Sequence, residues 1–355
     1  MKKFRRILGM TLVLTMLLVL CACGDTDTAT TQTKGTLDNT GDGAVLTLKL
    51  GGTVAEDHPI TQAEYKFAEL VEELSEGQIV IEVYPNCQLG AAREMFEAVQ
   101  MGNLDIVESG SMVLGNFTDQ IKFLNLPFLF NGREAAVAWK QTEENQQLMQ
   151  SIAEETGLYE FGYVENGSFQ VETREKTVKI PQDLQGMKFR SQESDCFMQT
   201  LSELGANPTA MAFSELYTAL QQGVVDGHIN PLVTIYANGF DEVTPNITVV
   251  NLFYDLTGMY ISYDRWKEMS EEQQNILIEA MEQATLYQFE LLDAQEAEVM
   301  EALEQSCTIY NPTDVEMEQW KTAAEPVYDW FTATYDVENI ERYFEIIDQC
   351  NADNP

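Results

Sequence analysis

The chain contains 355 residues, with 20 Lys+Arg against 58 Asp+Glu, a formal net charge of −38 and 45% hydrophobic residues. This length and apolar content are typical of two folded domains rather than a disordered chain, and such acidity argues against a nucleic-acid partner. The two histidines, His58 and His228, are far apart and no CxxC or HxxxH spacing occurs, so we expect no zinc, haem or other cofactor.

Residues 1–22 have the organisation of a lipoprotein signal peptide. Four basic residues within the first six precede an apolar run at residues 7–20, which fits a secretory h-region better than a membrane span of about 20 residues. The segment LCAC at residues 20–23 resembles the bacterial lipobox, which implies lipid on Cys23. We therefore predict an exported protein anchored to the outer face of the cytoplasmic membrane. Ordinary cleavage near Ala22 and an uncleaved span are the alternatives.

Residues 23–43 would begin with the lipidated cysteine and continue as a flexible tether. The segment consists mainly of Thr, Asp, Gly and Asn, and it has almost nothing to bury. Such a composition does not offset the entropy of ordering the chain.

From residue 44 onward, short β-like runs alternate with helical ones, which indicates layered α/β domains. We assign residues 44–165 to a first α/β domain and residues 166–251 to a second. Residues 252–355 would return to the first domain and continue into a long helix from 271 to about 304 and C-terminal helices. Within this scheme the predicted helices include 62–74, 93–101, 134–155, 195–204, 213–222, 314–335 and 337–348, and the predicted strands include 45–50, 78–84, 104–107, 158–164, 188–190 and 224–229.

Several segments together resemble the DctP-type solute-binding proteins of tripartite ATP-independent periplasmic (TRAP) transporters. In the first domain they are HP (58–59), QIVIEVYP (78–85), QLG (88–90), MGNLD (101–105) and LPFLF (126–130). In the second they are DLQGMKFR (183–190), similar to the family's DLKGLKIR, and FSELYTALQQGVVDG (213–227). The resemblance covers roughly residues 45–340.

This resemblance implies a periplasmic-binding-protein-like clamshell, in which two domains close on a small organic acid and a long helix spans both. The partners implied are that ligand, the small and large TRAP membrane subunits, and the membrane through the lipid anchor. A surface sensor or adhesin with the same fold is the alternative, and neighbouring genes for TRAP membrane subunits or for a receptor kinase would discriminate the two.

The resemblance also implies site residues in the second domain. Arg190 occupies the position of the arginine that pairs with the ligand carboxylate, and a planar guanidinium matches a carboxylate with two parallel hydrogen bonds. Asn230 lies in DGHINP where the family has DGQENP, as a hydrogen-bond partner of the ligand. Phe213 would form an apolar wall; a surface role for Arg190 and a core role for Phe213 are the alternatives.

Two further candidates, Thr53 and Ser111, follow the first and third predicted strands, where ligands of open α/β sheets gather. Either is alternatively a simple turn residue.

The chain departs from the family at Phe169, where many members carry a second ligand-facing arginine, and at Gly110, where sialate-binding members carry a glutamate. We therefore expect Phe169 to be an apolar wall and the ligand to be a monocarboxylate with an apolar or aromatic portion. Alternatively, Arg174 supplies the missing charge through a shifted loop, which would restore dicarboxylate binding.

No enzymatic constellation is found in the sequence, which lacks GxSxG, a P-loop and GxGxxG, so we do not expect an enzyme. The cysteines of the folded part, Cys87, Cys196, Cys307 and Cys350, are predicted to be free thiols, with a Cys307–Cys350 bridge as the disulfide most worth testing.

Overall fold

The first lobe alternates strands and helices, as its sequence pattern predicts. The computed structural model describes residues 45–355, so the predicted leader, the lipidated Cys23 and the tether lie outside the described residues. The elements of this lobe are β1 (Leu46–Gly51), α1 (Pro59–Leu74), β2 (Ile79–Tyr84), α2 (Ala92–Gln100), β3 (Ile106–Ser109), α3 (Ser111–Leu114), α4 (Arg133–Lys140), α5 (Glu143–Thr156) and β4 (Leu158–Thr173). Strands β1, β2 and β3 are parallel in the order β2-β1-β3.

The second lobe repeats the α/β pattern. Its elements, followed by those that return to the first lobe, are β5 (Lys188–Ser191), α6 (Asp195–Glu203), β6 (Asn207–Ala210), α7 (Leu216–Gln221), β7 (Gly227–Pro231), α8 (Leu232–Ala237), β8 (Asn246–Thr248), β9 (Tyr254–Ser262), α9 (Tyr263–Glu268), α10 (Glu271–Ser306) and β10 (Thr308–Tyr310). Strand β5 is parallel to both β7 and β6, and β10 is parallel to β8.

Strands β4 and β9 connect the two lobes. They are antiparallel to each other, and β9 also pairs with β3 in the first sheet. The second half of β4 pairs instead with β7 and β8 of the second lobe. The β4–β9 ladder shifts register between Glu160 and Gly162 and again between Glu165 and Gly167, so the crossing strand is irregular where it leaves the first sheet.

Helix α10 packs against both lobes, which confirms the predicted two-lobed α/β architecture with a long helix spanning it. Ser270 caps its N-terminus by accepting a hydrogen bond from the Gln273 N–H, and the Gln273 side-chain oxygen accepts one from the Ser270 backbone N–H. Leu277, Met281 and Ala284 are buried in the hydrophobic cluster of the first lobe. Leu292, Val299 and Leu303 are buried in a cluster of the second. The chain ends with α11 (Asp314–Ala324), α12 (Pro326–Thr334) and α13 (Ile340–Asp353).

Two predicted helices are in fact each divided. The run 134–155 breaks after Lys140, because Thr142 caps a new helix by accepting a hydrogen bond from the Asn145 N–H at 3.1 Å. The run 314–335 is divided at Pro326, which begins α12. Cys87, Cys196, Cys307 and Cys350 are free thiols. Over residues 45–355, no helix combines the length and the apolar character needed to cross a membrane.

Candidate functional site

A cleft between the two lobes encloses about 730 Å³ of empty space, part of it open to solvent. Five of the six predicted ligand-binding residues line it: Thr53, Phe169, Arg190, Phe213 and Asn230. The cleft also has polar residues that the sequence did not single out, namely Glu108, Asn166, Gln192, Thr234 and Thr257. Its apolar lining includes Val54, Ile60, Met112, Val113 and Met211.

Arg190 lies on β5 and is only 2% exposed. Its Nε donates a hydrogen bond to the Met211 carbonyl oxygen at 3.0 Å, while Nη1 has no partner among residues 45–355. Burial lowers the pKa of Arg190 to about 10, with Glu193 acting in the opposite direction, so the guanidinium is charged at neutral pH. A buried cation with an unused donor is suited to hold an anion.

Asn230 and Phe213 belong to the second lobe and line the cleft on the same side as Arg190. The Phe213 ring centroid is 5.9 Å from the Arg190 guanidinium carbon, and the ring packs edge-on against Phe240. The Asn230 side chain is 2.8 Å, Nδ2 to Nδ1, from buried His228. These contacts hold the Phe213 ring near the guanidinium and the Asn230 amide against His228.

Phe169 lines the cleft with little of its ring. It is 1% exposed and packs edge-on against Phe197 and Phe253, with ring centroids 5.6 and 6.3 Å away. Most of its apolar surface is therefore used within the core of the second lobe.

Glu108 is the acidic group of the first-lobe wall. The backbone N–H and the hydroxyl of Thr53 both donate to its Oε2, at 2.9 and 2.6 Å. Burial nevertheless raises the pKa of Glu108 to about 7, and the nearby Asp255 adds to the rise. Glu108 and Thr53 therefore give this wall hydrogen-bonding groups without a fixed full negative charge.

A chain of hydrogen bonds crosses the back of the cleft from one lobe to the other. His58 accepts from the Ile60 N–H with Nδ1, which leaves its Nε2–H to donate to the Thr234 hydroxyl at 3.1 Å. Thr234 in turn donates to Asn166 Oδ1 at 3.3 Å, and Asn166 donates to Asp255. The relay links the start of α1, helix α8 and the crossing strands.

Ser111 does not line this cleft. It is the first residue of α3, and its hydroxyl donates to Asn125 Oδ1 at 2.9 Å. It lines a second, smaller cavity together with Trp139, Lys140 and Glu160. Ser109 and Gly110, the residues before it, are the ones that reach the cleft.

Arg174 is also absent from the lining of the cleft. Its guanidinium lies against Gly223, where a Cβ would be 2.8 Å from Nη1. Among the residues of 45–355 that line the cleft, Arg190 is the one cation.

Two α/β lobes joined by crossing strands, with a buried guanidinium in the cleft between them, define a clamshell protein that encloses a small solute. Residues 50–334 match the profile of the DctP group, "bacterial extracellular solute-binding protein, family 7". The chain belongs to this family, so the predicted DctP-type resemblance is confirmed.

Three relatives match this chain over three quarters or more of their own length. A solute-binding protein of Roseobacter denitrificans is 32% identical over 70% of this chain and 75% of its own length. The C4-dicarboxylate-binding protein DctB of Bacillus subtilis is 30% identical over 85% and 86% of the two chains. A TRAP periplasmic solute-binding protein of Polaromonas sp. JS666, solved with D-erythronate, is 28% identical, covers 86% and 98% of the two chains, and superposes with a TM-score of 0.79.

Proposed function

We propose that this protein captures a hydroxylated organic monocarboxylate in the cleft and delivers it to a TRAP-type transporter. The observation that carries the proposal is the buried Arg190, whose Nη1 has no partner among the described residues. A ligand carboxylate would satisfy that donor and compensate the buried charge. A second ligand carboxylate would find no other cation along the described lining, which argues against a dicarboxylate.

The rest of the ligand would lie between walls of different character. Glu108, Thr53 and Asn166 offer partners for hydroxyl groups, and Phe213 and Met211 offer apolar contact for the carbon skeleton. Phe169 packs against Phe197 and Phe253 in the core of the second lobe. The aromatic ligand portion expected from the sequence is therefore not part of this proposal. The D-erythronate bound by the Polaromonas relative is a ligand of the class we propose.

Isothermal titration calorimetry with D-erythronate, D-gluconate, D-glucuronate and succinate tests this ligand class. We expect at least one hydroxylated monocarboxylate to bind and succinate to bind at least tenfold more weakly. Arg190→Lys and Arg190→Ala should each weaken binding about a hundredfold, since Lys does not reproduce the bidentate geometry. Arg174→Ala is the matched control and should leave affinity unchanged. Tight succinate binding, or a loss of less than a few-fold in both Arg190 variants, contradicts the proposal.

The proposal includes anchoring by lipid on Cys23 and delivery to TRAP membrane subunits. The lipobox-like segment and the family membership support these two points. Cys23→Ser should move the protein from the membrane fraction to the soluble fraction, whereas Cys87→Ser should not. Mass spectrometry of the mature N-terminus separates lipidation at Cys23 from ordinary cleavage near Ala22. Unlipidated protein cut near Ala22 would refute anchoring without touching the ligand site.

A further inference from the structure

His228 lies behind Asn230 on strand β7 and is completely buried. Its Nδ1 is 2.8 Å from Asn230 Nδ2 and 3.1 Å from Glu172 Oε2. Its Nε2 is 3.0 Å from the hydroxyl of Thr244. The ring therefore connects a residue of the cleft with two buried polar groups that do not reach the cleft.

The directions of these hydrogen bonds follow from counting protons. The single hydroxyl proton of Thr244 is donated to the Phe240 carbonyl oxygen at 2.8 Å, so Thr244 Oγ1 accepts from His228 Nε2–H. In a neutral imidazole the other nitrogen then carries a lone pair. His228 Nδ1 consequently accepts from the Asn230 Nδ2–H, and Nδ2 must face His228.

The surrounding charges are consistent with a neutral ring. Burial lowers the pKa of His228 well below its ordinary value, and Arg190 on the neighbouring strand lowers it further. Burial also raises the pKa of Glu172, which faces the ring from β4. The other groups against the ring, Thr244 and Phe240, are uncharged. An ion pair between His228 and Glu172, which would protonate Nδ1 and turn the Asn230 amide round, is therefore disfavoured.

Fixing one end of a planar amide fixes the other. With Nδ2 directed to His228, the Asn230 Oδ1 is the atom left for the cleft, and it makes no hydrogen bond within residues 45–355. Strands β5 and β7 are parallel, with Phe189 opposite Gly227 and therefore Arg190 opposite His228. Asn230 lies two residues beyond His228 on β7. That offset is about 7 Å along the strand direction. Both residues line the cleft, so one small ligand can reach the two side chains together.

We propose that His228 is a positioning residue that presents Asn230 Oδ1 to the cleft as a hydrogen-bond acceptor, so that the site selects acids with a hydroxyl group near the carboxylate over their deoxy analogues. This inference rests on the proposed function, because it needs a ligand carboxylate on Arg190. His228 and its neighbour Ile229 are the two positions at which the chain departs from the DGQENP pattern. A glutamine there carries both a donor and an acceptor and does not impose one amide orientation.

The first test needs no ligand. Nitrogen-15 spectra of labelled protein should show His228 protonated at Nε2 and unprotonated at Nδ1 from pH 5 to pH 8. The chain has only two histidines, so the His228→Gln variant identifies its signals by their loss. A ring protonated at Nδ1, or at both nitrogens, at pH 7 overturns the inference.

The second test compares hydroxy acids with deoxy acids by calorimetry. Wild-type protein should bind the hydroxy acid at least about tenfold more tightly than the deoxy acid in one of two pairs. The pairs are D-gluconate with 2-deoxy-D-gluconate, and L-lactate with propionate. His228→Gln should reduce that ratio to near one while its melting temperature stays within a few degrees of wild type. Equal binding of both members of each pair, binding of neither pair, or an unchanged ratio in a folded His228→Gln overturns the inference.

The two proposals fail in different ways. If Arg190→Lys binds as tightly as wild type, the proposed function fails. If Arg190→Lys weakens both acids of a pair equally but His228→Gln leaves their ratio unchanged, the carboxylate site stands and only the role of His228 is refuted.

Discussion

At the scale of single residues, the site depends on polar groups that are buried without full compensation. Arg190 retains an unused donor among the described residues, and Glu108 is a buried carboxyl whose pKa lies near 7. The motif comparison located Arg190 because its segment is distinctive. Glu108 was missed because it is one of 58 acidic residues, and only its burial beside Thr53 separates it from the others.

Glu108 should make folding stability depend on pH. Its pKa rises from 4.5 to about 7 on folding, so the folded protein binds this proton more tightly than the unfolded chain does. The stability that Glu108 contributes is therefore full below about pH 4.5 and is lost as pH rises through about 7. Glu108→Gln keeps an oxygen for Thr53 but removes this titration. We expect it to gain up to about 3 kcal/mol of unfolding free energy relative to wild type between pH 5 and pH 8.

Urea unfolding at pH 5, 6, 7 and 8 measures that difference. Glu193→Gln, at a half-buried residue of the same cleft, is the matched control for the loss of one carboxyl group. A difference for Glu108→Gln that does not change with pH would contradict a raised pKa.

At the scale of elements, helix α10 is joined to the crossing strand by a hydrogen-bonded side chain. Gln288 is fully buried, accepts from the Glu165 N–H at 3.1 Å and donates to the Glu165 carbonyl oxygen at 2.9 Å. Glu165 lies at the register shift of β4, where the ladder to β9 is interrupted. The amide of Gln288 thus replaces the missing strand partner at the point where the chain passes between lobes.

Gln288→Met should therefore destabilise the protein, although the two side chains are similar in volume. Met is similar in volume but leaves the N–H and the carbonyl of Glu165 buried and unpaired, which costs about 1–3 kcal/mol for each group. Gln283→Met, at an exposed position of the same helix, should change the unfolding free energy by less than about 0.5 kcal/mol. Denaturant unfolding of both variants gives the comparison, and equal effects would show that the Gln288 amide is not required.

At the scale of the whole molecule, the architecture followed from sequence because it depends on repeated patterns. The scarcity of helix breakers and the helical spacing of Leu277, Met281 and Ala284 predict α10 from sequence alone. The apolar pattern of the short run that ends at Pro85 predicts β2. Strand β6, with the sequence NPTA, has no hydrophobic pattern of this kind and is held by its pairing with β5. The hydrogen bond between His58 and Thr234 joins residues that are 176 positions apart in the sequence. Only the folded chain brings these two residues together.

The net charge of the whole molecule should affect the rate at which an anionic ligand associates. The net charge is −38, and removal of the proposed signal peptide, with its four basic residues, would make the chain more acidic still. This field repels an anion at long range, whereas Arg190 attracts it only near contact. Salt screens exposed charges beyond about 8 Å at physiological ionic strength and leaves the buried contact nearly intact. We therefore expect the association rate constant to increase as salt rises from low to moderate concentration, with little change in the dissociation rate.

Stopped-flow fluorescence with a bound monocarboxylate at a series of NaCl concentrations measures both rates. Glu193→Gln removes one negative charge at the cleft and should speed association most at low salt, with the difference from wild type shrinking as salt is added. An association rate that falls with salt would mean that the ligand is attracted by the acidic surface, as a cation would be, and would contradict capture of an anion by Arg190.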